Sequence, residues 1–174
     1  MNLTKNFTLE ELIASDIAKR YGIKNTPSET GKAKLATLAK EILQPIRDAY
    51  GRSIIVTSGY RSGKVNEIAG GAKASDHIYC CAADIRSVSD TVEDNKMLWE
   101  VVVRLWKQGR LPKLKQCINE YNYDWIHVSF QDGRTSKRGQ FLDAKRVNGK
   151  TVYVTSRIQT ELPHTSIDKE GGAR

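Results

Sequence analysis

The sequence has few cysteines and no long apolar run, and each shortage excludes a class of protein. Cysteines number only three among 174 residues, and two of them, Cys80 and Cys81, are adjacent. An odd count with this spacing is not the framework of a disulfide-stapled secreted domain, so it favours a chain that folds in a reducing compartment. No apolar run approaches the ~18 residues that a membrane-spanning helix needs, so we expect no insertion into a membrane.

The first residues also lack the apolar core of a secretory signal peptide. The stretch MNLTKNFTLEEL contains no continuous hydrophobic segment. We therefore expect the protein to be made in the cytoplasm. If its substrate lies outside the membrane, another process must deliver it there.

Basic residues outnumber acidic residues. This excess favours anionic partners but does not identify one. Lys and Arg number 28 against 20 Asp and Glu, so the formal net charge is +8. Nucleic acid, an anionic membrane face and an anionic cell wall would all attract such a surface. We find no helix-turn-helix, zinc-finger or aromatic RNA-binding signature, so we expect no nucleic-acid partner. The basic residues that could hold a wall polymer, or form a solvated face, are Arg134, Lys137, Arg138, Lys145, Arg146 and Lys150.

The N-terminal part has the three- and four-residue apolar spacing of amphipathic helices. Thr8 and Glu11 form a capping box at the start of a helix that we expect to run to about Arg20. A second helical pattern covers Gly31 to Tyr50, and Pro45 within it predicts a kink or a break.

Strand patterns follow, and one further helix lies among them. We expect a helix over Val92 to Gln108, with Met97 and the apolar residues near it facing the core. Asn148-Gly149 between two short β-type runs predicts a hairpin. The other predicted strands cover residues 53–57, 82–86, 117–120 and 125–130.

This order of elements indicates an α+β domain. We expect N-terminal helices packed on a small, mostly antiparallel sheet. Residues 1–159 should form one domain, and residues 160–174 a polar, frayed tail. His164 lies in that tail, and we do not expect it to bind a metal.

The other two histidines and one aspartate have the character of a catalytic zinc site. Such a site keeps three protein ligands drawn from His, Asp or Glu and leaves one position open for water. His77, Asp84 and His127 meet this need if loops and strands bring them together. A histidine can also be a hydrogen-bonded structural residue. A carboxylate in the apolar run around Asp84, however, needs a cation or several donors.

A longer pattern surrounds these three residues. It reads SGYRS at 58–62, then Asn66, a Gly pair at 70–71, SDH at 75–77, Asp84, and WIHVS at 125–129. The pattern resembles the zinc D-alanyl-D-alanine carboxypeptidase family of peptidoglycan peptidases, and in particular its short phage and prophage branch (peptidase family M15, subfamily A-like). The likeness runs over roughly residues 7–130. It implies a hedgehog-like or D-Ala-D-Ala peptidase-like fold, with Zn²⁺ bound by His77, Asp84 and His127.

One position departs from the family's pattern. The family usually has Gly where this chain has Cys80, and a Gly there would suit a turn that needs a positive φ or a close backbone approach. The thiolates of Cys80 and Cys81 could themselves bind zinc. Because adjacent residues rarely reach one ion, we interpret both as small core or loop residues.

Two carboxylates are candidates for the general base. If residues 121–124 form a four-residue hairpin loop, Glu120 pairs with Trp125 and Ile118 with His127, so that Glu120 and His127 share a face. Asp124 lies three residues before His127, a spacing used in related branches of the family. The phage-like sequences carry Glu at the Glu120 position, which favours Glu120 and leaves Asp124 as the alternative.

The resemblance also indicates substrate-binding residues. It places Arg61 at the substrate site, where a guanidinium can bind a carboxylate or polarise the scissile carbonyl, although a surface salt bridge is possible as well. Ser75 can orient the ligand loop or contact substrate. Trp125 can pack beneath the site or line it.

The function implied is zinc-dependent hydrolysis of a peptide bond in the peptidoglycan stem peptide. The bond would be D-Ala–D-Ala, or an internal one such as L-Ala–D-Glu. The alternative is a catalytically weakened peptidoglycan-binding module on the same fold. We expect a monomer that acts on the wall after phage-type release, or as a virion component.

Overall fold

The computed structural model describes residues 1–157, and in it several helices accompany one six-stranded sheet. The expected domain limit at residue 159, the tail of residues 160–174 and His164 lie outside the described residues. The helices are α1 (Leu9–Ile13), α2 (Asp16–Tyr21), α3 (Glu29–Leu38), α4 (Gln44–Tyr50), α5 (Gly63–Ile68) and α6 (Val92–Lys107), with a π-helical turn at Ala39–Leu43. The strands are β1 (Ile54–Ser58), β2 (Ala82–Ser87), β3 (Leu114–Glu120), β4 (Trp125–Phe130), β5 (Gln140–Val147) and β6 (Lys150–Thr155).

The sheet has the order β1-β2-β4-β3-β5-β6. Its neighbouring strands are antiparallel except for β3 and β5, which are parallel. The expected α+β class and mostly antiparallel sheet are therefore confirmed. None of the described helices combines the length and the apolar character needed to cross a membrane.

The two faces of the sheet have different surroundings, because successive side chains of a strand point to opposite sides. One face belongs to the apolar core that it shares with the long helices. Its buried strand residues include Ala83, Ile85, Cys117, Ile126, Val128 and Phe141. The opposite face carries Asp84, Glu120 and His127, and it borders a cleft.

The expected single helix from Thr8 to Arg20 is two helices. Thr8 begins α1 with the predicted capping box, since its side chain and that of Glu11 each bind the other's backbone N–H. Ala14 then adopts an extended conformation, and Ser15 caps α2 by accepting a hydrogen bond from the Ala18 N–H. The polar cap at Ser15 offers the backbone an alternative to continuing α1, and this ends the first helix early.

Pro45 changes the hydrogen-bond pattern of the long helical segment from Glu29 to Tyr50. Proline has no N–H to bond the carbonyl four residues earlier. The π-helical turn precedes it, and the Gln44 N–H bonds the carbonyl of Ala39, five residues back. The predicted interruption at Pro45 is therefore a local shift to π-helical bonding, which still buries Ile42 and Ile46 completely.

The prediction that Met97 faces the core is wrong. Its side chain is 50% exposed, and its sulfur accepts a hydrogen bond from Arg52 at 3.7 Å. Trp99, two residues on, is buried in the core instead. Residues two apart lie about 200° apart around a helix, so the core cannot hold both side chains.

Gly59 lets the segment after β1 approach α1 closely. The Tyr60 N–H donates to the Leu12 carbonyl at 2.7 Å, and a Cβ on Gly59 would collide with the Leu12 backbone. The Gly59 carbonyl in turn contacts Nδ1 of His77 at 2.6 Å. One glycine therefore fixes both the packing of α1 and the position of a candidate ligand.

Replacing Gly59 with alanine should lower the free energy of unfolding by roughly 1–3 kcal/mol, because backbone atoms must move to admit the methyl group. Urea denaturation followed by tryptophan fluorescence measures this change. Gly63→Ala is the matched control, since a Cβ there meets no atom within 4 Å. Equal stability of Gly59→Ala and wild type would contradict the expectation.

Candidate metal centre

Three side chains from distant parts of the chain meet at one point on the cleft face. His77 lies in the segment between α5 and β2, Asp84 in β2 and His127 in β4. Asp84 and His127 are direct partners in the antiparallel register of these two strands. All three residues are buried, and they are a group able to hold a metal ion within residues 1–157.

The donor atoms form a nearly regular triangle. Nε2 of His77 lies 3.2 Å from Oδ1 of Asp84 and 3.2 Å from Nδ1 of His127, and these last two atoms are 2.9 Å apart. In a tetrahedral zinc site with bonds of about 2.0–2.1 Å, neighbouring ligand atoms lie about 3.3 Å apart. The triangle therefore fits one face of such a tetrahedron, and the donor set of two imidazoles and one carboxylate suits a catalytic zinc ion.

The protein holds His77 in the tautomer that can bind a metal through Nε2. Nδ1 donates to the Gly59 carbonyl at 2.6 Å, which leaves the lone pair of Nε2 free to bind a cation. The backbone carbonyl of His77 also accepts hydrogen bonds from the N–H groups of Arg61 and Cys80. The ring orientation therefore depends on contacts on both sides of the ligand.

The buried Asp84 carboxylate has Arg61 on one side and the two histidines on the other. Its Oδ2 accepts a hydrogen bond from Nη2 of Arg61 at 2.6 Å, while Oδ1 faces the two histidines. Burial acts to raise the pKa of this carboxyl, but the neighbouring His77 and His127 outweigh burial and hold the pKa well below its usual range. Asp84 is therefore ionised and ready to bind a metal.

The three candidate ligands His77, Asp84 and His127, called the metal cluster below, line a cleft of about 750 Å³. The cleft is lined by Glu120 of β3 and Trp125 of β4 beside the cluster, and by β5 and β6 farther along the sheet. A space of this size can hold a ligand of several hundred daltons, such as a short peptide.

The structure separates the two candidate bases. Glu120 is only 6% exposed and lines the cleft. Burial raises its pKa to about 7; the Asp84 charge also raises it, while His127 and Arg61 lower it. Asp124 is exposed in the hairpin loop and does not line the cleft, so the two carboxylates do not share one environment.

The hairpin between β3 and β4 has the predicted register, with Glu120 opposite Trp125 and Ile118 opposite His127. Three consecutive non-glycine loop residues, 121–123, have positive φ angles of 48°, 64° and 66°. Such residues each carry strain of roughly 1–2 kcal/mol. Asn95 of α6 holds the loop by donating to the carbonyls of Tyr123 and Asp124 at 2.9 and 3.3 Å.

The three residues expected at the substrate site line the cleft, and each has a partner in the protein. Arg61 binds Asp84, and its Nε also donates to Ser58 Oγ at 2.8 Å. Ser75 Oγ accepts a hydrogen bond from the His77 N–H at 3.4 Å. The ring of Trp125 meets that of Tyr121 edge-on, with centroids 5.4 Å apart.

A comparison with protein-family models gives a match. The family model described as peptidase M15 matches residues 5–129, which include all three residues of the metal cluster and Glu120. The chain belongs to the peptidase M15 family. A search of curated proteins finds no match for it. Membership suggests a metallopeptidase, and peptidases of the M15 family are typically zinc-dependent.

Cys80, the departure from the peptidase M15 pattern, adopts the backbone conformation that favours glycine. Its φ is 60°, and its N–H and that of Cys81 bond the carbonyls of His77 and Asp76. Burial raises the pKa of the Cys80 thiol to about 11 and, together with Asp132, that of Cys81 to about 12. Both thiols are therefore protonated and lie outside the metal cluster.

An ion-pair network beside the metal cluster was not anticipated from the sequence of this M15 chain. Asp76 is buried and accepts hydrogen bonds from Lys115 through both carboxylate oxygens and from Arg134 at 2.8 Å. Arg134 also binds Asp132, so it is not free to hold a wall polymer as the basic run suggested. The pairs join residues 39 and 58 positions apart, and no local pattern could have indicated them.

Wild-type protein should bind one zinc ion per chain, and Asp84→Asn or His77→Ala should weaken binding by roughly 100-fold or more, because a ligand is lost. Competition with a chromophoric chelator and elemental analysis measure affinity and content. Asp124→Asn is the matched control, since it neutralises an exposed carboxylate three residues from His127. Zinc retention by Asp84→Asn at wild-type affinity would rule out the assigned ligand set.

Proposed function

We propose that the protein hydrolyses a peptide bond in the stem peptide of peptidoglycan, with zinc held by His77, Asp84 and His127. The observation that carries the proposal is the triangle of donor atoms beside Glu120 in one cleft of an M15 chain. A buried carboxylate next to three ligands suits attack by water on a peptide carbonyl.

The candidate ligands and Glu120 have different roles in the proposed reaction. A bound zinc ion would supply Lewis acidity, which lowers the pKa of water and polarises the carbonyl. Glu120 accepts a proton from the attacking water at its carboxylate and returns it to the leaving amine. Its pKa of about 7, raised mainly by burial, lies near neutral pH, where a group can both accept and donate a proton.

The remaining cleft residues orient the reactants in this proposal. Arg61 fixes Asp84 through one terminal nitrogen and has further N–H donors that a substrate carbonyl or carboxylate can accept. Ser75 holds the His77 backbone, and Trp125 provides an apolar surface beside Glu120. We assign Asp124 no role in proton transfer, because it is exposed and outside the cleft.

The bond that is cleaved, the type of fold and the biological setting are further parts of this proposal. We infer a D-Ala–D-Ala carboxypeptidase or a related endopeptidase that cuts an internal bond such as L-Ala–D-Glu, on a hedgehog-like fold of the phage and prophage branch. The protein would act as a monomer on the cell wall, after phage-type release or as a virion component. The sequence pattern around the metal cluster supports this assignment.

Glu120→Gln should lower kcat by roughly 10²–10⁴-fold, because the amide cannot accept the proton, while zinc content stays at one per chain. Mass analysis of the products from purified peptidoglycan, with and without chelator, measures the activity and identifies the bond. Asp124→Asn should retain wild-type activity.

Two outcomes would contradict this mechanism. Full activity of Glu120→Gln, or loss of activity in Asp124→Asn alone, would reassign the base. A zinc-loaded wild-type protein that binds walls but releases no new amino groups would favour the wall-binding module over the enzyme.

A further inference from the structure

One wall of the cleft is built from a hairpin outside the family match. The match ends at residue 129, whereas β5 and β6 begin at Gln140 and Lys150. Leu142 and Arg146 of β5 and Tyr153 of β6 nevertheless line the same cleft as the metal cluster. This hairpin is therefore placed to contact whatever the cleft binds.

The strand register fixes which side chains of the hairpin face the cleft. Glu120 of β3 is opposite Ala144 of β5, and Ala144 is opposite Tyr153 of β6. Arg146 lies two residues beyond Ala144 and therefore on the same face, about 7 Å farther along the strand. Lys145, between them, points to the other face and does not line the cleft.

Most cations of the cleft are already neutralised. Arg61 is paired with Asp84, and Lys115 and Arg134 are paired with Asp76. Arg146 and Lys137 also line the cleft, and neither has an ion-pair partner among residues 1–157. These two side chains can therefore meet an anionic group of a ligand.

Arg146 differs from Lys137 because an aromatic surface supports it. Its guanidinium lies over the ring of Tyr121, 5.2 Å from the centroid. Tyr121 is itself held by a hydrogen bond of 2.6 Å to Thr151 and by the edge-on contact with Trp125. Stacking restricts the guanidinium and leaves its N–H groups free at the edge of the plane, where a carboxylate can bind through both oxygens.

We propose that Arg146, supported by Tyr121 and flanked by Tyr153, forms a subsite that binds a carboxylate of the peptide substrate. The proposal rests on the proposed peptidase function and adds a determinant of specificity to it. Arg146 lies two residues beyond Ala144, the register partner of Glu120, so the subsite also orients the peptide by holding its carboxylate away from Glu120. A stem peptide offers two such groups, the α-carboxylate of D-Glu and the C-terminal carboxylate.

The experiment compares Arg146→Gln with Lys145→Gln. Both variants remove one positive charge from adjacent exposed positions of β5, but only the first changes the cleft. Each is assayed on synthetic stem peptides with D-Glu or D-isoglutamine, and with a free or an amidated C-terminus. The two pairs of peptides identify which carboxylate is bound.

Wild type and Lys145→Gln should prefer one carboxylate-bearing peptide over its amide. Arg146→Gln should raise KM for that peptide by about 10–100-fold with kcat changed less than about threefold, and should leave the amidated peptide unaffected. Arg146→Lys should recover only part of the preference, because an ammonium cannot bind the carboxylate through a planar fork. Identical profiles for Arg146→Gln and Lys145→Gln would overturn the subsite.

A second measurement separates this inference from the proposed function. If wild-type protein cleaves none of the peptides, the peptidase proposal fails. Calorimetric binding of the same peptides to the zinc-loaded wild-type and variant chains then tests the subsite. A carboxylate preference lost only in Arg146→Gln supports it. No binding by wild type, or equal binding by both variants, overturns it.

Discussion

Asp84 holds a negative charge on the cleft face of a sheet, where it is buried and poorly solvated by water, and its neighbours must compensate that charge. The compensation comes from His77, His127 and Arg61, which belong to three different parts of the chain. Removing one partner from such a buried set typically costs about 3–5 kcal/mol, because the remaining charge is uncompensated. The contacts that satisfy the carboxylate also gather the donor atoms that a metal needs.

The sheet register distributes the other parts of the site around this charge. Alternate residues face the cleft on each strand, so one row joins Asp84, His127 and Ile118, and the next joins Trp125, Glu120 and the cleft side of β5. The opposite face packs into the core and fixes the strands. The strands thus position Asp84, His127 and the proposed base Glu120, whereas His77 comes from the segment between α5 and β2.

Much of this site followed from local patterns. His77, Asp84 and His127 lie together as expected, and that expectation rested on the donor types of a catalytic zinc ion, on the need to compensate a carboxylate in an apolar strand, and on the family resemblance. The position of Glu120 followed from the length of a four-residue hairpin loop, which sets the register of both strands. The hairpin at Asn148-Gly149 followed likewise from residues that tolerate positive φ, here 50° and 75°.

Features that depend on contacts between distant residues could not be predicted from local sequence patterns. The binding of Arg61 to Asp84 and the pairing of Asp76 with Lys115 and Arg134 join residues far apart in sequence. The early end of α1 reflects competition between a cap at Ser15 and helix continuation, which spacing does not decide. The exposure of Met97 follows from the packing of Trp99 into the core, and packing is a property of the whole fold.

The strained loop at residues 121–123 has a consequence for how the protein responds to heat. The loop is held by the side chains of Asn95 and Asn119, whereas the candidate metal ligands are fixed by the central strands and by Gly59. Local opening of the loop would move Tyr121, which contacts Trp125 and Arg146, and leave His77, Asp84 and His127 in place. The proposed carboxylate subsite should therefore be lost at a temperature where a metal held by those three residues would still be bound, so that metal content would overstate the fraction of protein with an intact cleft.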